Sequence, residues 1–347
     1  MEENKEIKMP VPGSLIISSS PHLHDGATIS KIMLQVLLCL LPAVVAAIWF
    51  FGLHALRVMA LCVAFSMVFE FLWCKLMKTP NTTRDLSAAV TGLILALNLP
   101  SQAQWWLCMT GAFVAIIIAK EVFGGLGQNP FNPAAVGRVA LLVGFTGPMT
   151  TQWVTPSPLF SCAADAATAA TTTATPLTLA KAAAGNADKM AQLPVNYLDY
   201  FLGNMGGSLG ETSVLALLIG AVGLLLFRLI KWEIPVAILA TVALFTWIVN
   251  LANPAATPGP LFHLMTGGVM IGAFFMATDM VTSPLTRRGC WIFGAGIGVI
   301  TCVIRIWGGF PEGMSFAIVI MNALVPLIDR LCYKRPFGWV HSHGGAR

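Results

Sequence analysis

A polar tract rich in alanine and threonine, DAATAATTTATP at residues 165–176, is the strongest candidate for chemistry in an otherwise apolar chain. Its single carboxylate, Asp165, stands ahead of Thr171, and a second Ala-Thr step places Thr175 directly before Pro176. Both threonine hydroxyls have small neighbours, as a residue that receives a covalently attached group requires. The tract therefore predicts an attachment point at Thr171 or Thr175, and the alternative is a flexible low-complexity loop.

The composition is that of a protein embedded in a membrane. Of its 347 residues, 56% are hydrophobic and only 10% are charged, and the mean hydropathy is +0.78. Soluble domains carry about 25% charged residues, so we predict an all-α integral membrane protein. The eight cysteines form no CxxC pair, which argues against an iron–sulfur or zinc site made by this chain alone. The net charge of +5 comes from basic residues at span ends, so it is not a sign of nucleic-acid binding.

A membrane-spanning helix needs about 20 apolar residues, and several of the candidate stretches are shortened or interrupted by Gly and Pro. Such interruptions are typical of discontinuous helices that line a site. The candidates are Ile32–Leu53, Ala55–Leu76, Ser87–Leu99, Trp105–Val122, Val136–Gly147, Val214–Ile230, Ile234–Leu251, Leu264–Ala277, Trp291–Trp307 and Ser315–Leu331. They divide the chain into an N-terminal segment (1–30), a first membrane repeat (31–147), a loop that carries the Ala/Thr tract (148–213), a second membrane repeat (214–332) and a C-terminal tail (333–347).

The basic residues predict the orientation of these spans. With about ten spans, both termini share one side of the membrane, and 15 of the 20 Lys and Arg residues lie on that side. Only Arg57, Lys181 and Lys189 lie on the other side, while Arg138 and Arg305 fall inside spans. Because positive residues are enriched in cytoplasmic loops, we predict cytoplasmic termini and an outward-facing 148–213 loop. The 15 residues are Lys5, Lys8, Lys31, Lys75, Lys78, Arg84, Lys120, Arg228, Lys231, Arg287, Arg288, Arg330, Lys334, Arg335 and Arg347.

The chain also has the pattern of an internal duplication. In the first half, TGLILALNLP (91–100) precedes a span and then GGLGQNPFNPAAVG (124–137). In the second half, IGAFFMATDM (271–280) precedes a span and then GGFPEGMSFAIVIMN (308–322). Five spans per half is an odd number, so the two repeats would have inverted orientation. The alternative is a chance similarity between Gly-rich membrane segments.

Within residues 124–138, three glycines (Gly124, Gly125 and Gly127) and two Asn-Pro pairs end one helix and begin another. Asn129 and Asn132 are placed to cap the new helix N-terminus. Free N–H groups at such a terminus suit a phosphate or a ring carbonyl, so both residues are candidates for a binding site. A structural re-entrant turn is the alternative.

Several charged residues fall within or beside apolar stretches. Asp279 follows the uncharged stretch 260–278, and an ionisable residue at membrane depth is a candidate functional group. Alternatively, Asp279 lies at the membrane interface, where it pairs with Arg287 or Arg288. Glu70, Glu121 and Arg305 raise the same question: Glu121 beside Lys120 suggests the interface, whereas Arg305 requires a buried partner or an anionic ligand.

Five segments resemble the D subunit of the Rnf electron-transport complex. They are SSSPHLH (18–24), GGLGQNPFNP (124–133), ATPLTLAK (174–181), GAFFMATDMVTSP (272–284) and RIWGGFPEGMSFA (305–317). The order of the segments and the chain length also match, so the resemblance covers nearly the whole chain. That family is related to the B subunit of the sodium-pumping NADH:quinone reductase and is similar in fold to urea transporters. The resemblance thus implies about ten transmembrane helices in two inverted five-helix repeats.

The resemblance also implies a cofactor. In that family an FMN is joined through its phosphate to a threonine in the motif D-x-x-[ST]-x-A-T. Asp165, Thr168, Ala170 and Thr171 satisfy the motif but lack the Pro-Leu that usually follows it. Thr175 has that Pro-Leu, although an alanine stands where the aspartate belongs. The resemblance therefore implies covalent FMN, with Thr175 as the preferred site and Thr171 as the alternative.

As a member of that family, the chain would pass electrons within a translocase that couples ferredoxin/NAD electron transfer to Na+ or H+ translocation. It would not be catalytic alone, and its partners would be the A, B, C, E and G types of subunit, a flavin transferase and membrane lipid. Its location would be the bacterial inner membrane. Asn129, Asn132 and Asp279 would serve a second, non-covalent flavin or an ion path. The rival functions are a channel or secondary transporter for a small polar solute and a passive membrane anchor.

Overall fold

The computed structural model describes residues 28–151, 153–156, 174–193, 195–254 and 257–333. Within these ranges the regular structure is helical, as predicted. The helices are α1 (Ile29–Met77), α2 (Ser87–Leu97), α3 (Trp105–Phe113), α4 (Pro133–Gly144), α5 (Thr146–Thr151), α6 (Pro176–Ala183), α7 (Ala187–Ala191), α8 (Tyr197–Leu202), α9 (Val214–Leu226), α10 (Glu233–Ala252), α11 (Pro260–Met265), α12 (Val269–Ile271), α13 (Arg287–Trp307) and α14 (Met314–Leu331). Helix α3 continues as a π-helix over Val114–Ile118, and α12 continues as one over Gly272–Met276.

Five helical segments are long and apolar enough to cross a membrane, which supports the prediction of a multi-pass membrane protein. They are Ile29–Met77, Trp105–Phe123, Glu233–Ala252, Arg287–Trp307 and Met314–Leu331. Three shorter helices, α2, α4 and α9, are also apolar. Among the described residues, these segments and the short helices form the body of the molecule.

Helix α1 folds back on itself. A straight helix of 49 residues would be about 70 Å long, but Gly52 interrupts it with φ 62° and ψ −146°. The Ser30 hydroxyl, near the start of α1, donates to the carbonyl oxygen of Arg84, shortly after its end, at 3.4 Å. The two ends of α1 are therefore neighbours, and its halves correspond to the predicted stretches Ile32–Leu53 and Ala55–Leu76.

The predicted stretch Leu264–Ala277 is wrong as a single helix. The chain breaks there between α11 and α12, where Gly267 has φ +72°. A Cβ atom at Gly267 would lie 2.4 Å from both Arg305 Nη2 and Leu177 Cδ1, so side chains fill the space beside the break. Only glycine adopts this backbone conformation readily and leaves that space free. Hydropathy alone could not predict the break, because apolar residues flank the Thr-Gly-Gly step at 266–268.

Three other helix ends differ from the predicted stretches, two of them because a side-chain cap sets the start of the helix. Helix α4 begins at Pro133 instead of Val136, since Asn132 caps it and Pro is favoured in a first turn. Helix α13 begins at Arg287 instead of Trp291, since the Thr286 hydroxyl accepts a hydrogen bond from the first turn. Helix α9 ends at Leu226 and does not reach the predicted limit of 230.

One large hydrophobic core joins both halves of the chain, with buried residues from α1 to α4, from α9 and α10, and from α12 to α14. Close backbone contact is part of this packing: a Cβ atom on Gly220 of α9 would lie 2.1 Å from the carbonyl oxygen of Cys39 in α1. A second, small cluster holds α6 in place. There Leu177 and Ala180 are buried together with Tyr200, Met205 and Phe262.

Contacts between loops join residues that the sequence places on the same side of the membrane. On the predicted cytoplasmic side, the Lys231 ammonium donates to the Pro284 carbonyl oxygen at 2.7 Å. On the predicted outer side, the Lys181 ammonium donates to the Phe310 carbonyl oxygen at 2.7 Å, and Arg57 donates to a carbonyl oxygen at 3.3 Å.

Candidate functional site

Thr175 lies at the N-terminus of α6, where it is the capping residue. Its hydroxyl oxygen accepts a hydrogen bond from the backbone N–H of Thr178 at 3.2 Å, and Pro176 occupies the first helical turn. The N-terminus of a helix favours a negatively charged group. A phosphate joined to this hydroxyl would be stabilised there. The alternative site, Thr171, lies outside the described residues together with the other members of its motif, Asp165, Thr168 and Ala170.

Thr175 shares a small cavity with charged side chains. The cavity has a volume of about 20 Å³, and its lining includes Arg138, Glu211 and Glu312 together with the indole of Trp153. A space of this size holds about one water molecule. It can bring a group attached to Thr175 into contact with these side chains, but an aromatic cofactor would have to lie outside it. We call the cavity the Thr175 pocket.

Arg138 is the centre of the charges in the Thr175 pocket. It lies on α4 and is only 4% exposed. One of its terminal nitrogens donates to Asn98 Oδ1, and the other donates to Glu211 Oε1 at 3.1 Å and to Glu312 Oε2. A buried charge is tolerated only when it is paired and hydrogen-bonded. The sequence places Arg138 inside a span but does not predict these partners.

Glu312 and Arg305 both contact the broken segment between α11 and α12. The backbone N–H of Gly268 donates to Glu312 Oε1 at 2.7 Å. Arg305 donates to the carbonyl oxygens of His263 at 2.8 Å and Thr266 at 2.9 Å. These carbonyls lie at the end of α11, where a helix leaves its acceptors without intrahelical donors. The buried partner that Arg305 required is therefore this helix end.

A second, larger cavity lies elsewhere in the molecule and brings together the other three predicted site residues. It has a volume of about 250 Å³, and its lining includes Asn129, Asn132, Asp279 and Lys120. The remaining lining residues are mostly apolar and come from α1, α2, α4, α9, the π-helix after α12 and the adjoining loops. We call it the inner cavity. It draws on both halves of the chain, as the predicted duplication requires of a shared site.

The two asparagines of the inner cavity have different roles. Asn132 caps α4, because its Oδ1 accepts from the Ala135 N–H at 3.1 Å, and its Nδ2 donates to the Met276 carbonyl oxygen at 2.9 Å. The prediction that Asn129 also caps this helix is wrong: its Nδ2 donates to the Phe131 carbonyl oxygen at 3.0 Å. Asn129 is buried, and within the described residues no donor reaches its Oδ1. That oxygen has almost no accessible surface, so a ligand could bond to it only after a local rearrangement.

Asp279 lies in the turn after the second π-helix and lines the inner cavity. The Thr282 hydroxyl donates to its Oδ2 at 3.2 Å. The alternative pairing with Arg287 is not observed, since the guanidinium of that residue lies 3.3 Å from Glu233 Oε1. Asp279 therefore combines a local role in the turn with a position on the cavity wall.

Lys120 is a buried cation that sequence reasoning did not place in a site. Its side chain is 2% exposed, and its ammonium donates to Glu70 Oε1 at 3.0 Å and to Ser87 Oγ at 2.9 Å. Glu121 Oε1 lies 3.5 Å from the same ammonium. Lys120 and Glu121 thus face the protein interior, and the paired carboxylates allow a charged lysine on the wall of the inner cavity.

Comparison with known proteins identifies the family. The model of the NQR2, RnfD, RnfE family matches residues 16–338. The chain belongs to this family. The resemblance based on the five motif segments is thereby confirmed.

Relatives within the NQR2, RnfD, RnfE family match this chain over most of its length. The D subunit of the Na(+)-translocating ferredoxin:NAD(+) oxidoreductase complex of Acetobacterium woodii is 43% identical over 94% of this chain and 96% of its own length. The D subunit of the proton-translocating ferredoxin:NAD(+) oxidoreductase complex of Clostridium ljungdahlii is 43% identical over 93% and 96%. The D subunit of the ion-translocating oxidoreductase complex of Stutzerimonas stutzeri is 42% identical over 90% and 93%.

The motif segments that indicated the family also build the two cavities. Segments 124–133 and 272–284 contribute to the inner cavity. Segments 174–181 and 305–317 supply Thr175 and Glu312 to the Thr175 pocket. The family-like residues therefore concentrate at these two places, and the remaining segment, 18–24, lies outside the described residues.

Proposed function

We propose that this chain is the D-type membrane subunit of an ion-translocating ferredoxin:NAD+ oxidoreductase complex and carries electrons through an FMN covalently joined to Thr175. The observation that carries the proposal is the position of Thr175 at a helix N-terminus, beside a pocket of buried charges. The names of the relatives place such subunits in Na+- or proton-translocating complexes. On this proposal the chain is one subunit of a translocase, and the other subunits supply the nicotinamide and iron–sulfur chemistry.

The residues around Thr175 fit the phosphate of FMN. Its hydroxyl oxygen would form the ester, and the N-terminus of α6 would stabilise the negative charge of the phosphodiester. Arg138 would provide a cation at the pocket, and Trp153 an aromatic surface. When bound, FMN supplies the one- and two-electron chemistry that amino-acid side chains lack. The protein's part is to hold the cofactor at a fixed place and to set the charge around it.

The proposal includes a topology of ten transmembrane helices in two inverted repeats, with both termini in the bacterial cytoplasm. The fold of α1 at Gly52 supports it, because one long helix then provides two spans. The short apolar helices α2, α4 and α9 supply further membrane segments. With this orientation Thr175 lies on the outer side of the membrane, where a flavin transferase would act on it. The transferase, the other subunits and membrane lipid are then the partners of the chain.

Peptide mass spectrometry of the chain, purified with its complex from the native host, tests the proposal. We expect a peptide from residues 148–190 to carry one FMN, with fragmentation placing it on Thr175. A flavin on Thr171 would keep the electron-carrying function and move its site. An unmodified peptide, from cells with an active flavin transferase, would reject covalent FMN. It would favour the channel or secondary transporter for a small polar solute.

We further propose that the inner cavity holds a second, non-covalent flavin or forms part of an ion path. Its volume of about 250 Å³ is large enough for part of an aromatic ligand. After a local rearrangement, Asn129 Oδ1 can accept a hydrogen bond from a ring N–H, and Lys120 offers a cation to ring carbonyl oxygens. For an ion path, the carboxylate of Asp279 and the side-chain oxygens of both asparagines would be the ligands.

Replacing Asn129 with alanine is expected to lower the non-covalent flavin of the complex severalfold, because the unpaired acceptor beside the cavity is lost. Flavin released by mild denaturation would be measured against the covalent flavin that stays on the chain. The control is Asn186→Ala, which changes an exposed asparagine. Normal flavin content with reduced ion transport would assign the ion path to this cavity. Unchanged flavin and unchanged transport in Asn129→Ala, Asn132→Ala and Asp279→Asn would contradict both roles.

A further inference from the structure

The charged side chains in and beside the Thr175 pocket balance one another within the described part of the chain, before the negative phosphodiester of an attached FMN is counted. Arg138 contacts Glu211 and Glu312. Arg305 lines the neighbouring cavity but lies close to this group, because a Cβ atom at Gly267 would lie 2.4 Å from Arg305 Nη2 and 2.8 Å from Glu312 Oε1. Two guanidinium cations thus face two carboxylates. Further negative charge near Thr175 would create an imbalance that the poorly polarisable surroundings do not screen.

Glu312 is the carboxylate of this group that solvent cations can reach. Its side chain is 16% exposed, whereas that of Glu211 is 5% exposed. It lies in the loop between α13 and α14, so it can adjust without moving a helix. If the charge of Glu312 is neutralised, Arg138 keeps Asn98 and Glu211 as acceptors. The network therefore tolerates a change at Glu312 better than a change at Glu211.

The groups around Glu312 contain no other acid that could take its place. The backbone N–H of Gly268 and the guanidinium of Arg138 hold its two oxygens. A neighbouring cavity shares Pro311 with the Thr175 pocket and is lined by Lys181, His263 and Arg305. Burial lowers the pKa of the Lys181 ammonium, and none of these three side chains is a carboxylic acid. Among these described neighbours, Glu211 is the sole other carboxylate, and it is enclosed.

We propose that Glu312 takes up one cation, a proton or Na+, when an electron arrives at the flavin attached to Thr175. This inference rests on the proposed function. One electron from the donor of the complex adds one negative charge beside the pocket, and one cation at the Glu312 carboxylate compensates it. When the electron leaves for the next carrier, the cation is released. Glu312 thus couples the redox state of the flavin to cation binding on the same side of the membrane as α6.

Redox-difference infrared spectroscopy on the purified complex tests this coupling. If the cation is a proton, reduction should produce a carboxylic-acid band; if it is Na+, carboxylate bands should shift only when Na+ is present. Glu312→Gln should lose these signals, and Glu312→Asp should keep them at shifted frequencies. In parallel, a tenfold change in the coupled cation should move the flavin potential by up to about 59 mV in the wild type. Glu312→Gln should lose that part of the shift.

The matched control is Asp188→Asn, which removes an exposed carboxylate on the same side and should leave all signals unchanged. Wild-type signals retained in Glu312→Gln would overturn the inference. If the Glu312→Gln variant does not assemble, the wild-type complex provides the test. Absence of any carboxyl signal in the wild type across the pH and Na+ series would overturn the inference. Absence of covalent flavin from the wild-type chain would instead overturn the proposed function. Flavin content, measured first, separates the two failures.

Discussion

Replacing Thr175 with alanine is expected to abolish covalent flavin on the chain, from one FMN per chain to none. Electron transfer through the complex should fall to the background of a complex without this chain. The reason is chemical, because alanine has no oxygen that can form the phosphodiester. In-gel flavin fluorescence and intact-mass measurement would check the attachment, and ferredoxin-dependent NAD+ reduction in membranes would check the activity.

Two variants make this experiment specific. Thr175→Ser keeps a hydroxyl and a helix cap, so it should retain part of the flavin. Thr171→Ala should leave flavin and activity at the wild-type level. Loss of the cap in Thr175→Ala should cost only about 0.5–2 kcal/mol of stability, and the assembled complex should still form. Full flavin on Thr175→Ala together with none on Thr171→Ala would move the attachment site to Thr171.

The sequence predicts those parts of the site that depend on local pattern. Asn132 caps α4 because an Asn-Pro pair before an apolar stretch is a local helix start, and the structure confirms it. Thr175 stands out by its neighbours along the chain, and it lies at a helix N-terminus. Asn129 has the same Asn-Pro pattern but no helix begins there, since the chain bends at residues 130 and 131 before α4 starts at Pro133. Local pattern thus overestimates the number of caps in a Gly-rich loop.

The charge network could not be predicted in the same way. Arg138 is 73 residues from Glu211 and 174 residues from Glu312 along the chain, so no sequence spacing links them. Glu312 belongs to a motif segment, but that segment does not predict which residue pairs with it. Glu211 lies in a loop without a recognisable sequence motif. The break at Gly267 is also hidden from hydropathy, because apolar residues flank the Thr-Gly-Gly step at 266–268. Long-range pairing and backbone interruptions need the fold, whereas hydropathy yields only the approximate spans.

Helix α4 links the two cavities. Asn132, at its N-terminus, lines the inner cavity, and Arg138 lines the Thr175 pocket. Six residues of helix correspond to about 9 Å. With a second flavin in the inner cavity, electrons would pass between two cofactor sites within one chain. A rigid, buried helix that contributes to both sites would keep their separation constant while charges change at either end.

Arg138→Leu is expected to destabilise the chain by about 3–5 kcal/mol, because it leaves the carboxylates of Glu211 and Glu312 without their buried cation. The measurement is unfolding of the detergent-purified protein by heat or by a denaturing detergent. As a control, Arg84→Leu changes an exposed arginine, and its effect should stay within about 0.5 kcal/mol.

A combined variant separates lost charge pairing from lost packing. Arg138→Leu together with Glu211→Gln and Glu312→Gln removes both the cation and its partners, so most of the lost stability should return. Replacement of a whole buried ion cluster is often neutral, whereas removal of one member is not. If the combined variant is as unstable as Arg138→Leu alone, the contribution of Arg138 is its shape and its bond to Asn98. If Arg138→Leu is as stable as the wild type, the buried charge network makes no net contribution to stability.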